Sequence, residues 1–267
     1  MKTTVTRALF RRLDPGAITA NGRAFGDNYA GMTSKTPDVI RPLSDPLKPR
    51  AGFLNMTGNL FTSAIMKTSV ISADFHETYF GDPDDPRPFE GQVLVFDGPE
   101  DFNARIDDPA LGAAKDTVLV MRGVGPIGYP GGAEVVNMRP PAYLIKQGIE
   151  ILPCIGDGRQ SGTSGSPSIL NASPEAAAGG GLAILKDGDR IRIDLKASRV
   201  DVLLDDAEIQ ARHEALRGSG GFERPDSQTP WQKLFRENVT QFEDGMVMRG
   251  ADGFRAVGRL TTPRNNH

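Results

Sequence analysis

Short apolar runs recur along the chain from about residue 52, separated by polar segments rich in glycine and proline. Apolar runs bounded by turn residues are typical of strands. The segment Arg190–Leu195 alternates strictly between polar and apolar residues, which indicates a strand with one buried face, and Lys186–Asp189 supplies a turn before it. The predicted strands are Ala64–Ser69, Gly91–Phe96, Thr117–Met121, Ile149–Ile155, Gly181–Leu185, Arg190–Leu195 and Val200–Leu204. A short loop joins the last two, so we expect them to pair as neighbours.

Few helices accompany these strands. Ser173 stands before Pro174 and Glu175, a pattern that predicts a helix with Ser173 as its N-cap. The predicted helices are Pro99–Ile106, Pro140–Gln147, Pro174–Ala178, Asp205–Leu216 and Pro230–Phe242. Many short strands with few short helices favour an α+β fold built on a β-barrel-like domain. We expect a leading segment with surface loops over residues 1–50, the barrel-like domain over 51–217, and an extension with one helix over 218–267.

Composition narrows the classes of protein. The 267 residues are 38% hydrophobic and include 31 glycines and 20 prolines, which suits a loop-rich β or mixed fold rather than a helical bundle. The formal net charge is −3 with both signs interspersed, so the chain lacks the basic footprint of a nucleic-acid-binding protein. No apolar stretch approaches the length of a membrane span, and the first residues lack the apolar core of a signal peptide.

The single cysteine, Cys154, excludes an internal disulfide and fits a reducing compartment, so we expect a cytoplasmic protein. Cys154 lies inside an apolar run, which favours inert burial over reactivity. The histidines His76, His213 and His267 show no spacing typical of a metal site.

Two glycine-rich segments are candidates for binding. The first, residues 123–134, is called the glycine loop, and it contains Gly123-Val-Gly-Pro-Ile-Gly128 after a predicted strand. This spacing matches the G-x-G-x-x-G of dinucleotide-binding folds, but that site requires a helix to begin at the glycines. Pro126 and Pro130 disfavour such a helix. We therefore expect a loop that wraps an anionic group, with Glu134 near its end as a surface carboxylate or a ligand.

The second segment, residues 156–168, is called the serine loop. It is rich in glycine and hydroxyl side chains and follows the predicted strand Ile149–Ile155. Glycines let a backbone approach a ligand closely, and an activated hydroxyl can accept a proton, so this segment is interpreted as an active-site loop. It lacks the G-x-S-x-G elbow of a serine hydrolase. Asp157 and Arg159 are expected to pair or to cap a turn.

Both loops resemble a known family. The residues Met121 to Pro140 and Leu152 to Ala176 are similar to the C-terminal part of the dihydroxy-acid and phosphogluconate dehydratases, most closely to those acting on sugar acids such as xylonate. The shorter stretches Gly58–Phe61, Ala64–Lys67 and Ser227–Trp231 agree as well. The resemblance runs from about residue 10 to the end of the chain. It implies a swivelling β-barrel-like domain with flanking short helices, the C-terminal half of a two-domain dehydratase.

The resemblance also implies a chemistry. Such enzymes remove water from a 2,3-dihydroxy acid to give a 2-keto-3-deoxy acid, using a [2Fe-2S] cluster and Mg²⁺. By position in the motifs, Ser161 is the catalytic base that takes the proton from C2, Thr163 is a neighbour that binds substrate, and Glu134 is a carboxylate ligand of Mg²⁺. A serine hydroxyl is a weak base, so cations and donors must stabilise its alkoxide.

Family members are roughly twice this length, and the resemblance places their cluster cysteines in an N-terminal domain. Cys154 matches no cluster ligand, and one cysteine cannot hold a [2Fe-2S] centre. We expect a fragment, a separately encoded half or a decayed remnant, with a sugar acid as substrate. Its protein partner is either the missing N-terminal half or a second copy of the chain. The alternative function is a non-catalytic binding or assembly module that keeps the dehydratase fold.

Overall fold

The computed structural model describes residues 14–42, 44–46, 52–160 and 167–254. The described residues belong to two compact units, of which the larger is Gly52–Ala251. In the smaller unit, the short helix α1 (Phe25–Tyr29) follows an antiparallel bridge between Ile18 and Ala24. Residues 1–14, whose sequence predicts a short helix before a turn, lie almost entirely outside the described residues. The candidate functional residues fall within the larger unit.

The larger unit is a β-barrel made of one eight-stranded mixed sheet. Its strands are β1 (Phe53–Met56), β2 (Ser63–Lys67), β3 (Phe89–Asp97), β4 (Thr117–Arg122), β5 (Cys154–Gly156), β6 (Ile169–Ser173), β7 (Arg190–Asp194) and β8 (Arg199–Val202). The strand order is β1-β2-β6-β5-β4-β3-β7-β8. The four central strands, β6 to β3, run parallel, and the outer pairs are antiparallel.

The two ends of the sheet meet at residues 57–59. The Thr57 N–H donates to the Ser198 carbonyl at 3.0 Å, and the Val200 N–H donates to the Thr57 carbonyl at 2.8 Å. The Asn59 carboxamide bonds to the backbone of Val202 in both directions, at 2.9 and 2.7 Å. These bonds join the end of β1 to β8 and pair the edges that an open sheet would leave exposed. The predicted barrel is confirmed.

The central strands are buried on both faces. Alternate residues such as Val93 and Val95 of β3 join the cluster inside the barrel, while Leu94 and Phe96 of the same strand join a second cluster outside it. A strand points successive side chains to opposite faces, so this arrangement requires continuous apolar runs, Val93–Phe96 in β3 and Val118–Met121 in β4. The second cluster includes residues of α3 (Gly98–Arg105) and α4 (Ala142–Ile145), which cover the outer face.

Three more helices lie in this unit: α2 (Ala73–Tyr79), α5 (Asp206–Gly218) and α6 (Pro230–Asn238). Asp205 caps α5 by accepting from the Glu208 N–H at 2.7 Å, and Thr229 caps α6 by accepting from the Gln232 N–H at 3.2 Å. The predicted helices α3, α4, α5 and α6 are confirmed within a few residues at their ends. The predicted pairing of β7 with β8 is also confirmed.

The predicted strand Gly181–Leu185 is wrong, because residues Gly181–Ile184 form a 3₁₀ helix. Arg122, at the end of β4, explains the difference. Its Nη1 donates to the carbonyls of Leu182, Ala183 and Leu185 at 3.1, 3.0 and 2.8 Å. A turn can aim three closely spaced carbonyls at one guanidinium, whereas a strand points successive carbonyls in opposite directions.

Two further predictions need correction. The strand predicted over Ile149–Ile155 begins only at Cys154. The residue before it, Pro153, has no N–H to donate to a neighbouring strand. Ser173 is not an N-cap: it ends β6, and the 3₁₀ helix that follows at Ala176–Ala178 is preceded by Glu175 without a side-chain cap. The sequence analysis also missed β1, β6 and α2, although Ser72 gives α2 an ordinary cap by accepting from the Phe75 N–H at 3.2 Å.

Candidate active site

The glycine loop and the serine loop leave the barrel at the same edge. The glycine loop follows β4 and the serine loop follows β5, and these strands are parallel neighbours, so their carboxyl ends lie side by side. The first turn of the glycine loop is tight. A Cβ on Gly128 would come within 2.5 Å of the Gly123 carbonyl oxygen, and Gly123 itself has a φ of 73°. Only glycine fits both demands without strain.

A buried carboxylate, Asp157, ties the two loops together. Its side chain accepts from the backbone N–H groups of Gly123 and Val124, each at 3.0 Å, and of Ala176 at 2.8 Å. Asp157 is fully buried. The expectation that Asp157 pairs with Arg159 or caps a simple turn is wrong: Asp157 instead joins the start of the glycine loop to the segment after β6.

A second buried carboxylate, Glu175, holds the middle of the glycine loop. Its Oε1 accepts from the Ile127 N–H at 2.9 Å, and its Oε2 accepts from the Gly128 N–H at 2.9 Å. A Cβ on Gly125 would come within 2.5 Å of Oε2, so the loop encloses the carboxylate closely. No pattern in the sequence predicted this role of Glu175.

The glycine loop was expected to wrap an anionic group, and the groups that it wraps belong to the protein itself. The carboxylates that the N–H groups of residues 123–128 bind are the protein's own Asp157 and Glu175. The next helix after the glycines is α4, well downstream. Because no helix begins at the glycines, the requirement of the dinucleotide-binding motif is not met.

Glu134 lies beside the beginning of the serine loop. The Arg159 N–H donates to the Ala133 carbonyl at 2.8 Å, and the Val136 N–H donates to the Arg159 carbonyl at 3.2 Å. The Arg159 side chain adds a bond from Nε to the Gly132 carbonyl at 2.7 Å and an ion pair with Glu134 at 3.5 Å. The Glu134 side chain is 50% exposed, so this pair is solvated and contributes little to stability.

The candidate base Ser161 and its neighbour Thr163 lie outside the described residues. The described beginning of the serine loop is joined to β6 by a bond from the Asn171 N–H to the Gly158 carbonyl at 2.9 Å. A Cβ on Gly158 would come within 2.8 Å of the Ala133 carbonyl oxygen. The residues that precede Ser161 thus pack directly against the segment that carries Glu134.

Burial sets the electrostatics of the two inner carboxylates. It raises the pKa of Asp157 to about 6, with the nearby Glu175 charge adding to the shift and the N–H donors opposing it. Burial also raises the pKa of Glu175, opposed by the N–H groups of Ile127 and Gly128 and by the Gln241 amide. Asp157 therefore carries its full negative charge only at a pH well above that raised pKa.

The pKa of Asp157 predicts a dependence of stability on pH. In the unfolded chain this pKa is 3.8, so between pH 3.8 and about 6 the folded state binds more protons and loses stability as the pH rises. The difference corresponds to roughly 3 kcal/mol. We expect the wild-type free energy of unfolding, relative to that of Asp157→Asn, to fall by most of this amount between pH 4 and 7.

Urea unfolding at several pH values measures this difference. The matched control is Asp206→Asn, the same chemical change at an exposed position in the first turn of α5. Relative to this variant, the wild-type free energy of unfolding should not fall between pH 4 and 7, because a charged carboxylate in the first turn of a helix is favourable. Parallel curves for wild type and Asp157→Asn would contradict the prediction.

The implied cofactors make demands that these side chains meet only in part. Glu134 is an exposed carboxylate and suits Mg²⁺ as one ligand, but a hard cation requires several oxygen ligands. Cys154 is buried, with Sγ 3.4 Å from the Leu152 carbonyl oxygen, and a single thiol does not fit a cluster. Within the described ranges, no group of three or more His, Cys, Asp or Glu side chains could hold a metal ion.

The histidines do not contribute to this candidate site in the described residues. His76 Nδ1 lies 2.9 Å from the Gly81 carbonyl oxygen, and His213 lies on α5. His267 falls outside the described residues. Among the helices of the described ranges, none is both long and apolar enough to cross a membrane.

Comparisons with known proteins bear on this site. The sequence model of the dihydroxy-acid/6-phosphogluconate dehydratase C-terminal domain matches residues 38–246. A D-xylonate dehydratase of Caulobacter vibrioides is 47% identical over 96% of this chain and 42% of the relative. An L-arabonate dehydratase of Azospirillum brasilense is 32% identical over 97% of this chain and 44% of the relative.

A third relative, a dihydroxy-acid dehydratase of Anaeromyxobacter dehalogenans, is 31% identical over 88% of this chain and 39% of the relative. The chain thus spans less than half the length of each of these curated relatives. The matched region contains both loops and both buried carboxylates.

Proposed function

The chain belongs to the dihydroxy-acid/6-phosphogluconate dehydratase family, and on that premise we propose that it is the C-terminal domain of a sugar-acid hydro-lyase. The proposed reaction removes water from a 2,3-dihydroxy sugar acid resembling xylonate and yields a 2-keto-3-deoxy acid. The substrate class follows the relatives named for D-xylonate and L-arabonate. A cytoplasmic location is part of the proposal, on the single cysteine of the chain.

One observation carries the proposal: the pairing of the Glu134 segment with the start of the serine loop. Two backbone bonds at Arg159 join this loop to Ala133 and Val136, on either side of Glu134. The segment that carries Glu134 and the residues that precede Ser161 therefore lie side by side at one edge of the barrel. A site that binds a metal-held acid and removes a proton from it needs a metal-binding carboxylate and a base close together.

The proposed roles follow the family motifs. Ser161 Oγ, as the alkoxide, accepts the proton from C2 as the 3-hydroxyl leaves as hydroxide. The serine hydroxyl then gives this proton to the hydroxide, which forms water and restores the alkoxide, and the resulting enol becomes the 2-keto-3-deoxy acid. Thr163 donates a hydrogen bond to the substrate beside the base. Glu134 would provide one oxygen ligand to Mg²⁺ in place of its solvated ion pair with Arg159. The bound Mg²⁺ and [2Fe-2S] cluster would supply Lewis acidity toward the acid's oxygens.

The described part of this chain provides one candidate ligand for Mg²⁺, and the whole sequence holds one cysteine. We therefore propose that an N-terminal dehydratase domain completes the site with the cluster ligands and the remaining ligands of Mg²⁺. The buried carboxylates Asp157 and Glu175 hold the two loops at the edge where that domain would meet them.

Reconstitution tests this proposal. The chain is purified anaerobically with iron and sulfide, alone and together with the N-terminal half of the Caulobacter vibrioides relative, and each sample is assayed with xylonate and arabinonate. We expect the chain alone to be colourless and inactive, because one buried thiol cannot hold the cluster. The combined sample, called the reconstituted enzyme, should be coloured and form 2-keto-3-deoxy acid.

The N-terminal half alone is the matched control, and it should be inactive because it lacks the base. A stable brown chain that dehydrates xylonate unaided would contradict the proposed division of roles. A well-folded, cluster-loaded combination that neither binds nor dehydrates sugar acids would favour the alternative, a non-catalytic assembly module.

A further inference from the structure

The segment after α6 reaches back to the glycine loop through one side chain, Gln241. Its Oε1 accepts from the Glu175 N–H at 2.8 Å, and its Nε2 donates to Glu175 Oε1 at 2.8 Å. A carboxamide can accept and donate at once, which a carboxylate or an ammonium group cannot do. Gln241 therefore fixes both the backbone and the side chain of Glu175.

Glu175 passes this constraint to the glycine loop. The Oε1 atom that Gln241 binds is the same atom that accepts from the Ile127 N–H at 2.9 Å, while Oε2 accepts from the Gly128 N–H. Glu175 is fully buried, so each of these bonds is made away from water. Loss of one donor from a buried carboxylate weakens the whole arrangement, because water does not replace it.

The same C-terminal segment contacts the loop at two further points. Arg236 Nη2, on α6, donates to the Gly128 carbonyl at 2.9 Å. The Phe242 ring lies so close to Gly132 that a Cβ there would be 2.7 Å from its Cζ atom. Gly132 stands two positions before Glu134. The stretch from Ile127 to Gly132 is thus held from one side by Glu175 and from the other by residues 236–242.

The backbone of Gln241 is itself fixed. Its carbonyl accepts from the N–H groups of Asp244 at 3.1 Å and of Met246 at 2.9 Å. On either side of it, Thr240 donates its N–H to the Val247 carbonyl at 2.9 Å, and the Glu243 N–H donates to Ser173 Oγ at 3.3 Å. The carboxamide therefore extends from a rigid turn and can transmit its position to Glu175.

We propose that Gln241, acting through Glu175, is a positioning residue that holds the glycine loop so that Glu134 can bind Mg²⁺. This inference rests on the proposed function. Residues that orient a metal ligand from behind typically change metal affinity or activity by about 10–100-fold when they are replaced. Gln241 has no other contact of this kind to the described residues of the loop, so its effect runs through the Glu175 carboxylate.

The test replaces Gln241 with methionine, which has similar length and shape but neither donates nor accepts in the same way. Hydrogen exchange is measured on the chain alone at the amides of Ile127 and Gly128. We expect exchange at these amides to become about 10-fold faster or more, because their acceptor loses its support. In the reconstituted enzyme, the Mg²⁺ concentration for half-maximal activity should rise about 10-fold, with kcat largely restored at saturating Mg²⁺.

Two variants calibrate the result. Gln232→Met makes the same change on α6, where Gln232 Oε1 accepts from the Gln228 N–H, and it should leave both measurements unchanged. Glu134→Gln removes the proposed ligand itself and should raise the Mg²⁺ requirement at least as much, while leaving the exchange of Ile127 and Gly128 unchanged.

The outcomes separate the inference from the function on which it rests. A lower kcat with an unchanged Mg²⁺ requirement would show that Gln241 only supports folding, and would overturn the inference. Unchanged exchange in Gln241→Met would overturn it as well. Wild-type reconstituted enzyme without activity at any Mg²⁺ concentration would contradict the proposed function, and the role of Gln241 toward Mg²⁺ would fall with it.

Discussion

Replacing Ser161 with alanine in the reconstituted enzyme is expected to lower the dehydration rate by a factor on the order of 10² to 10⁴. The variant lacks the oxygen that accepts the C2 proton in the proposed mechanism, and water is a much weaker base than an alkoxide. KM and sugar-acid binding should change far less, since the proposed task of this hydroxyl is the proton and not the carboxylate of the substrate. Steady-state kinetics and calorimetric binding of xylonate measure the two effects separately.

Ser164→Ala is the matched control for this prediction, because it also replaces a serine with alanine, three positions further along the serine loop. It should retain most of the activity. Near-normal turnover by Ser161→Ala would refute the assignment of the base. A large loss in Ser164→Ala or in a Thr163→Val variant would then identify which of these hydroxyls takes the proton.

The sequence predicted those parts of the fold whose signals are local. Strict alternation in Arg190–Leu195 corresponds to β7, and the predicted helices Asp205–Leu216 and Pro230–Phe242 begin within one residue of α5 and α6. The segment Gly181–Leu185 looked like a strand because it is short and apolar. Its true conformation depends on Arg122, which is about 60 residues earlier in the sequence and collects its carbonyls. No local pattern contains that information.

In the candidate site, too, local sequence signals were predicted and long-range contacts were not. Local composition, the spacing of the glycines and the predicted strands before them were enough to identify the glycine and serine loops, and the family resemblance assigned roles to Ser161, Thr163 and Glu134. The structure adds Glu175, which the sequence analysis took for a residue of a helical first turn. Its partner Gly128 is 47 positions away, so the relation appears only when β4 and β6 are brought together. The run of small residues after Pro174 was the one local hint of a crowded site.

Closure of the barrel predicts a large effect of a single methyl group at Gly58. A Cβ on this residue would overlap the Val200 carbonyl oxygen and lie 2.6 Å from the carbonyl carbon. The atoms nearest to this Cβ belong to the backbone of β8, so the overlap cannot be relieved by the movement of a side chain. We expect Gly58→Ala to lower the free energy of unfolding by about 3 kcal/mol or more, because the junction at residues 57–59 must separate from β8 to admit it.

Urea unfolding of the chain measures this loss, and Gly218→Ala provides the matched control. Gly218 ends α5, the position that its Cβ would take has no neighbouring atom within 4 Å, and its φ is not positive. Alanine there should be neutral or stabilising by up to about 1 kcal/mol, because alanine favours a helix over glycine. Equal unfolding midpoints for the two variants would contradict a barrel closed at residues 57–59. A selective loss in Gly58→Ala, with faster amide exchange at Val200 and Val202, would locate the damage at that junction.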